Sequence, residues 1–99
     1  MVLQRVIHKI RPGKWDEFQA LEAQFDSVQA KLGIPPRKRY RRIYGKHSFY
    51  TEVIEREWPS LSVMEALASQ YSRNAELRAL QDQAIDLIEC TQYELYQIL

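Results

Sequence analysis

At 99 residues the chain is long enough for one hydrophobic core and too short for two, so a single domain over residues 1–99 is expected. Its 45% hydrophobic and 27% charged residues exclude a disordered chain. Fourteen basic against 13 acidic residues give a net charge of +1, without the basic excess of a dedicated nucleic-acid binder, and the single cysteine, Cys90, excludes an intrachain disulfide and a thiolate metal cluster.

The opening stretch "VLQRVIHKI" (2–10) alternates closely enough to read as a strand. Val2, Val6 and Ile10 share one face with Gln4 and His8, while Leu3 and Ile7 share the other with Arg5 and Lys9. Apolar residues on both faces suit a strand covered on two sides. Arg5 interrupts the apolar run and no small-residue cleavage site follows, so the stretch does not read as a signal peptide. No apolar run approaches membrane-spanning length, and the expectation is a soluble cytoplasmic protein.

"RPG" ends the strand, with Pro12 where a helix can begin. From Lys14 to Leu32 the period lengthens. Trp15, Phe18, Leu21, Phe25, Val28 and Leu32 recur at helical spacing, with Asp16, Glu17, Glu22 and Asp26 expected off that stripe. Gly33 suits the C-terminal cap and "IPP" forbids continuation.

Residues 37–45 and 49–58 read as two strands around the turn "GKHS", rich in the β-branched and aromatic residues that strands favour. The basic run "RYRRIYGKHSFY" resembles a nucleic-acid surface until it is folded as a hairpin with Tyr44 opposite Phe49. Arg41 then opposes Glu52, Lys38 opposes Glu55, Ile43 opposes Tyr50 and Tyr40 opposes Val53. Arg39 and Arg42 are left without a cross-strand carboxylate, as contacts for a partner or an acidic ligand.

Pro59 stops the second of these strands, and Ser62 with Glu65 has capping-box spacing for a helix carrying Leu61, Met64, Leu67, Ala68 and Tyr71. "SRN" interrupts it, and "AELRALQDQA" presents Ala75, Leu77, Leu80 and Ala84 as a further helical piece. The last run, "LIECTQYELYQIL", is a strand with Tyr93, Leu95 and Leu99 on one face and Tyr96 and Ile98 on the other.

The order β-α-β-β-α-β predicts an α+β, ferredoxin-like fold: a four-stranded antiparallel sheet with helices on one face. The opposite face carries Leu3, Ile7 and, according to register, Ile43 or Val53. Leaving these wet is unfavourable, so a homodimer through the open sheet face is expected.

Three stretches resemble the dimeric α+β barrel superfamily, which includes the NIPSNAP proteins and the antibiotic-biosynthesis monooxygenases. They are the strand–helix junction "HKIRPGKWDEF" (8–18), the strand-to-helix passage "EREWPSLSVMEAL" (55–67) and the closing strand "TQYELYQIL" (91–99). The resemblance implies a homodimer whose two sheets close a barrel, each subunit keeping a cavity between sheet and helices. Monooxygenase relatives often carry histidines on the second helix; haem-degrading ones use a first-strand asparagine with a tryptophan and a histidine on that helix. Here His8 and His47 both precede that helix, Leu67 and the residues around Ala75 occupy the corresponding region, and the first strand has no asparagine. Haem breakdown of that type is not expected.

Candidate chemistry centres on His8, a weak catalytic candidate whose neutral-range pKa suits a base in the cleft and whose structural alternative is a hydrogen-bonded, partly buried histidine. Tyr40, Tyr50 and Trp58 join it as ligand-binding candidates, each equally at home as a strand or core aromatic, and Arg42 as a contact for an acidic ligand. Tyr44 is a further cavity candidate; His47 is expected in solvent and Cys90 as a buried, inert thiol. With three glycines and no His-x-x-x-His or Gly-x-Ser-x-Gly, neither a metal, a nucleotide nor any other cofactor is implied.

The reading is therefore a NIPSNAP-like protein binding a small, partly apolar molecule in the sheet–helix cleft. A cofactor-independent monooxygenase and a non-catalytic structural or regulatory dimer are the alternatives. RNA binding is disfavoured: the first strand lacks a stacking aromatic and "SFYTEVIE" is acidic in the middle.

Overall fold

A computed structural model describes residues 1–45 and 49–99, and the expected turn residue His47 lies outside the described residues. The first strand, β1 (Val2–Ile10), is central and pairs antiparallel on both sides, with β3 (Thr51–Trp58) and with β4 (Ile88–Gln97). A short β2 (Lys38–Arg41) adds to the free edge of β3, giving the order β2-β3-β1-β4. Three helices, α1 (Trp15–Lys31), α2 (Leu61–Arg73) and α3 (Ala75–Ile85), complete the ferredoxin-like α+β fold, the second helical region being split at Asn74. Among the described residues no helix is long and apolar enough to cross a membrane.

The α1 stripe packs as its period requires. Phe18, Leu21, Phe25 and Val28 are buried with Ile10 of β1 and with Leu77, Leu80, Ala84 and Leu87 from α3 and its C-terminal end. Gly33, with φ of +73°, ends α1 in a Schellman arrangement. The Gly33 amide donates to the Ala30 carbonyl at 3.2 Å, and the Ile34 amide to the Gln29 carbonyl at 3.2 Å. Ile34 is buried behind that cap, turning "IPPR" back along α1 towards β2.

The two sheet faces divide by parity. Gln4, Val6 and His8 of β1 face the helices with Ile54, Arg56 and Trp58 of β3 and Thr91 and Tyr93 of β4. Leu3, Arg5, Ile7 and Lys9 face the other way, with Tyr40, Val53, Glu55 and Tyr96 as cross-strand neighbours on that open face. Arg5 lies centrally there, 2.8 Å from Glu55 and 3.8 Å from Glu94.

Several expectations are corrected. The hairpin register is the expected one over Lys38–Arg41, but the ladder ends there: Ile43 and Tyr44 are exposed rather than paired with Tyr50 and Phe49. The expected charge pairs also re-sort. Glu55 is taken by Arg5 of the neighbouring strand, and Glu52 by Arg39 at 3.1 Å rather than by Arg41. Arg41 instead lies over the rings of Trp15 at 4.2 Å and Phe49 at 3.6 Å, because its long side chain reaches the aromatic cluster at the sheet edge. Glu22 is not off the α1 stripe but buried within it, and Cys90 is exposed because β4 is an edge strand and its cross-strand neighbour is Lys9 on the open face. In α2, despite its apolar stripe, no residue is fully buried; Leu61 is exposed, while Met64, Leu67 and Tyr71 border a gap above the sheet.

The cap of α2 also shifts by two residues. Ser60, extended at φ −159° and ψ 165°, accepts the Val63 amide on its Oγ at 3.2 Å, so Ser62 is not the N-cap. Ser60→Ala should therefore cost about 1 kcal/mol of stability, whereas Ser62→Ala should cost only a few tenths, measured by urea denaturation of the two variants.

Candidate functional site

The gap between sheet and helices is a cleft of about 700 Å³. Phe18 and Phe25 of α1, Ile54 and Trp58 of β3, and Met64, Leu67 and Tyr71 of α2 supply most of its apolar wall. The cleft lies where α1 and α3 pack together over one end of the sheet while α2, with no fully buried residue, spans the other.

Polar groups gather along the α1 and β3 side. His8 projects from β1 into the cleft, with Nδ1 and Thr91 Oγ1 2.9 Å apart and its ring edge-on to Phe18 at 5.7 Å. Burial lowers its pKa; the nearby Glu52 carboxylate opposes that shift and Arg37 adds to it. His8 is thus both the hydrogen-bonded, partly buried histidine of its structural alternative and a neutral imidazole facing a cavity.

Beside it lies a buried carboxylate–guanidinium cluster. Glu22 is 3% exposed and Glu52 2%. Arg37 runs along α1 with Nε 2.7 Å from Asp26 Oδ1 and Nη1 2.9 Å from Glu22 Oε2, the latter a charge contact without hydrogen-bond alignment. Arg37 Nη2 also donates to the Glu22 carbonyl at 3.2 Å. Glu52 accepts from Arg39 at 3.1 Å and from Gln19 Nε2 at 3.2 Å. Burial, reinforced by a hydrogen bond shared with Glu52 and opposed by Arg37, pushes the Glu22 carboxyl up to about 8. A carboxylic acid that holds its proton near neutrality beside a second carboxyl and a neutral imidazole can store and pass a proton.

Deeper along β3, Arg56 donates from Nη2 to Gln29 Oε1 at 2.6 Å and sits 5.8 Å from the Trp58 ring centroid. Gln29 Nε2 reaches the Tyr71 hydroxyl at 3.4 Å, and Trp58 Nε1 donates to Gln4 Oε1 at 3.0 Å, fixing the indole against the wall.

Of the ligand-binding candidates, His8 and Trp58 line the cleft. Tyr40 faces the open side of the sheet opposite Val53, Tyr50 packs on Phe49 and Arg41 at the sheet edge, and Arg42 folds over Gly45, so none of these three borders the cleft. Glu22, Gln29, Arg37, Arg56, Tyr71 and Thr91 border it and were not anticipated. A signal existed for some of them. Glu22 falls one helical turn from both Phe18 and Phe25, and strand alternation places Glu52 and Arg56 on one face with Ile54 and Trp58. Arg37 carries no such signal, since its partners are set by the path of "IPPR".

No protein-family model and no curated protein matches this sequence. Solved structures do match. An uncharacterised NIPSNAP domain protein from Burkholderia xenovorans superposes at a TM-score of 0.85 with 13% identity, covering 100% of this chain and 95% of that one. A NIPSNAP family protein from Agrobacterium tumefaciens gives 0.86 with 18% identity, covering 99% and 85%. This chain has the NIPSNAP-type fold. A cofactor-independent oxygenase from Streptomyces nogalater shares it at 0.74 and 12% identity, covering 98% and 91%. The NIPSNAP-type fold thus accommodates this chain along nearly its whole length with little sequence in common, as expected where packing patterns rather than particular side chains define an architecture.

The raised Glu22 pKa has a definite consequence for stability. Between the ordinary carboxyl range and about pH 8 the folded protein holds a proton that the unfolded chain has released, so this group's contribution falls as pH rises through that window. Glu22→Gln keeps a donor towards Glu52 but cannot ionise. Its stability should fall less than that of the parent between pH 5 and pH 8, with a difference on the order of a few kcal/mol by denaturant titration at each pH.

Proposed function

We propose that this protein is a cytoplasmic homodimer that binds a small, partly apolar molecule in the sheet–helix cleft of each subunit. The observation that carries the reading is the open cleft of about 700 Å³, walled by aromatic and aliphatic side chains with a few convergent polar groups on one side. A merely structural dimer has no use for such a space, which filled side chains would make more stable. The fold shared with NIPSNAP proteins and with a cofactor-independent oxygenase is compatible with a ligand-binding role, and His8 adds a neutral base facing the cleft. That imidazole favours, as a second reading, a monooxygenase-type reaction that starts by removing a proton from the bound molecule.

The open face supports the dimer. Leu3, Ile7 and Val53 are half-buried there within one chain, and Tyr40 and Tyr96 are exposed. Arg5 lies between Glu55 and Glu94 on this face, so pairing two sheets would bury apolar surface around a central ion pair that is already formed within each chain.

Two outcomes are expected. Light scattering should return twice the 11.8 kDa chain mass, and Ile7→Glu should shift it to the monomer; a monomeric parent would remove the dimer. In a nuclear magnetic resonance screen of small aromatic fragments, binders should shift the amides of Val6, His8, Phe25, Trp58 and Tyr71. Hits that leave these amides unmoved would exclude the cleft as the site.

A further inference from the structure

Arg56 stands apart from the other arginines on the helix side of the sheet. Arg37 lies against Asp26 and Glu22, and Arg39 against Glu52 and Asp26, all within 4 Å. Arg56 has no carboxylate at that distance among the described residues. Its recorded partners are the neutral oxygen of Gln29 and the face of Trp58, and its Nε has none. A guanidinium carries five N–H donors and a charge that is costly to remove from water without an anion. Burial, helped by the charge of Arg37, accordingly draws the Arg56 pKa down to about 10, which still leaves it a cation at neutral pH. Tyr71, Asp26 and Glu22 oppose that shift without reversing it.

The geometry points to Arg56 as the anchor for a carboxylate on the bound molecule, making the ligand a small organic acid whose apolar body lies against Phe25, Ile54, Trp58, Met64 and Leu67. This rests on the cleft being a small-molecule site. A planar guanidinium matches a carboxylate fork, the Gln29 bridge and the Trp58 face hold its plane, and the Tyr71 hydroxyl next to Gln29 offers a further donor to the same oxygens. The low-dielectric wall strengthens that pairing relative to the same contact in water.

The test uses two probes of equal shape and unequal charge, 2-naphthoate and 2-naphthamide, titrated calorimetrically into the full-length protein at pH 7. The acid should bind about tenfold tighter or better, and Arg56→Met should abolish that preference while Arg56→Lys keeps part of it. Equal affinities for acid and amide in the parent protein would overturn the anchor while leaving the cleft as a small-molecule site. Binding of neither would remove the cleft reading and the anchor with it. Should Arg56→Met fail to fold, the acid-to-amide ratio of the parent decides alone.

Discussion

The ionic cluster of buried Glu22 and Glu52 with Arg37 and the more exposed Arg39 is the constraint on which the rest of this structure depends. It ties α1 to β3 and to the segment entering β2. Removing charged groups from water is expensive, so such a cluster holds only where each charge meets another or gives up its ionisation. Arg37 and Arg39 meet carboxylates, and Glu22 keeps a proton. The cost of that compromise is paid in pH-dependent stability, and the result is a polar wall that stays in place beside an unfilled cavity.

The cavity is the complement of that wall. The tight apolar core lies where α1 and α3 cross the Ile10 end of the sheet, and of α2 only Tyr71 packs against it. Apolar residues on α2 therefore border a space instead of closing it. A protein that spends an amphipathic helix on lining a gap forgoes the packing that would stabilise it, and a bound molecule can restore that packing. On the other side of the sheet, Leu3, Ile7 and Val53 form a second apolar surface around the Arg5–Glu55 ion pair. Both faces of one sheet thus carry apolar surface that the helices leave uncovered.

Much of this was legible in the residues. The order of elements, the α1 stripe with Gly33 as its stop, the parity of β1 and the hairpin register at Lys38–Arg41 all follow from short-range patterns. The site was legible only in part. Strand parity puts His8 and Trp58 on the helix side, where they border the cleft; it puts Tyr40 on the other side, and Tyr50 and Arg42 lie beyond the end of the β2–β3 ladder. Glu22 was misread because its charge outweighed its position, although its place between Phe18 and Phe25 is a core position.

The sequence by itself determined the periodicities, and with them the strands, the helices and which side chains share a face, because these are set by contacts between near neighbours along the chain. Tertiary structure alone decided which charges meet. Glu55 had a cation on either flanking strand and took Arg5; Glu52 took Arg39 diagonally and left Arg41 to the aromatic rings. Long charged side chains reach several partners from one backbone position, so their pairing depends on the path of "IPPR", on the tilt of α1 and on what burial leaves dry. The same holds for the cleft, which is set by how α2 lies over the sheet, a placement that no local pattern encodes.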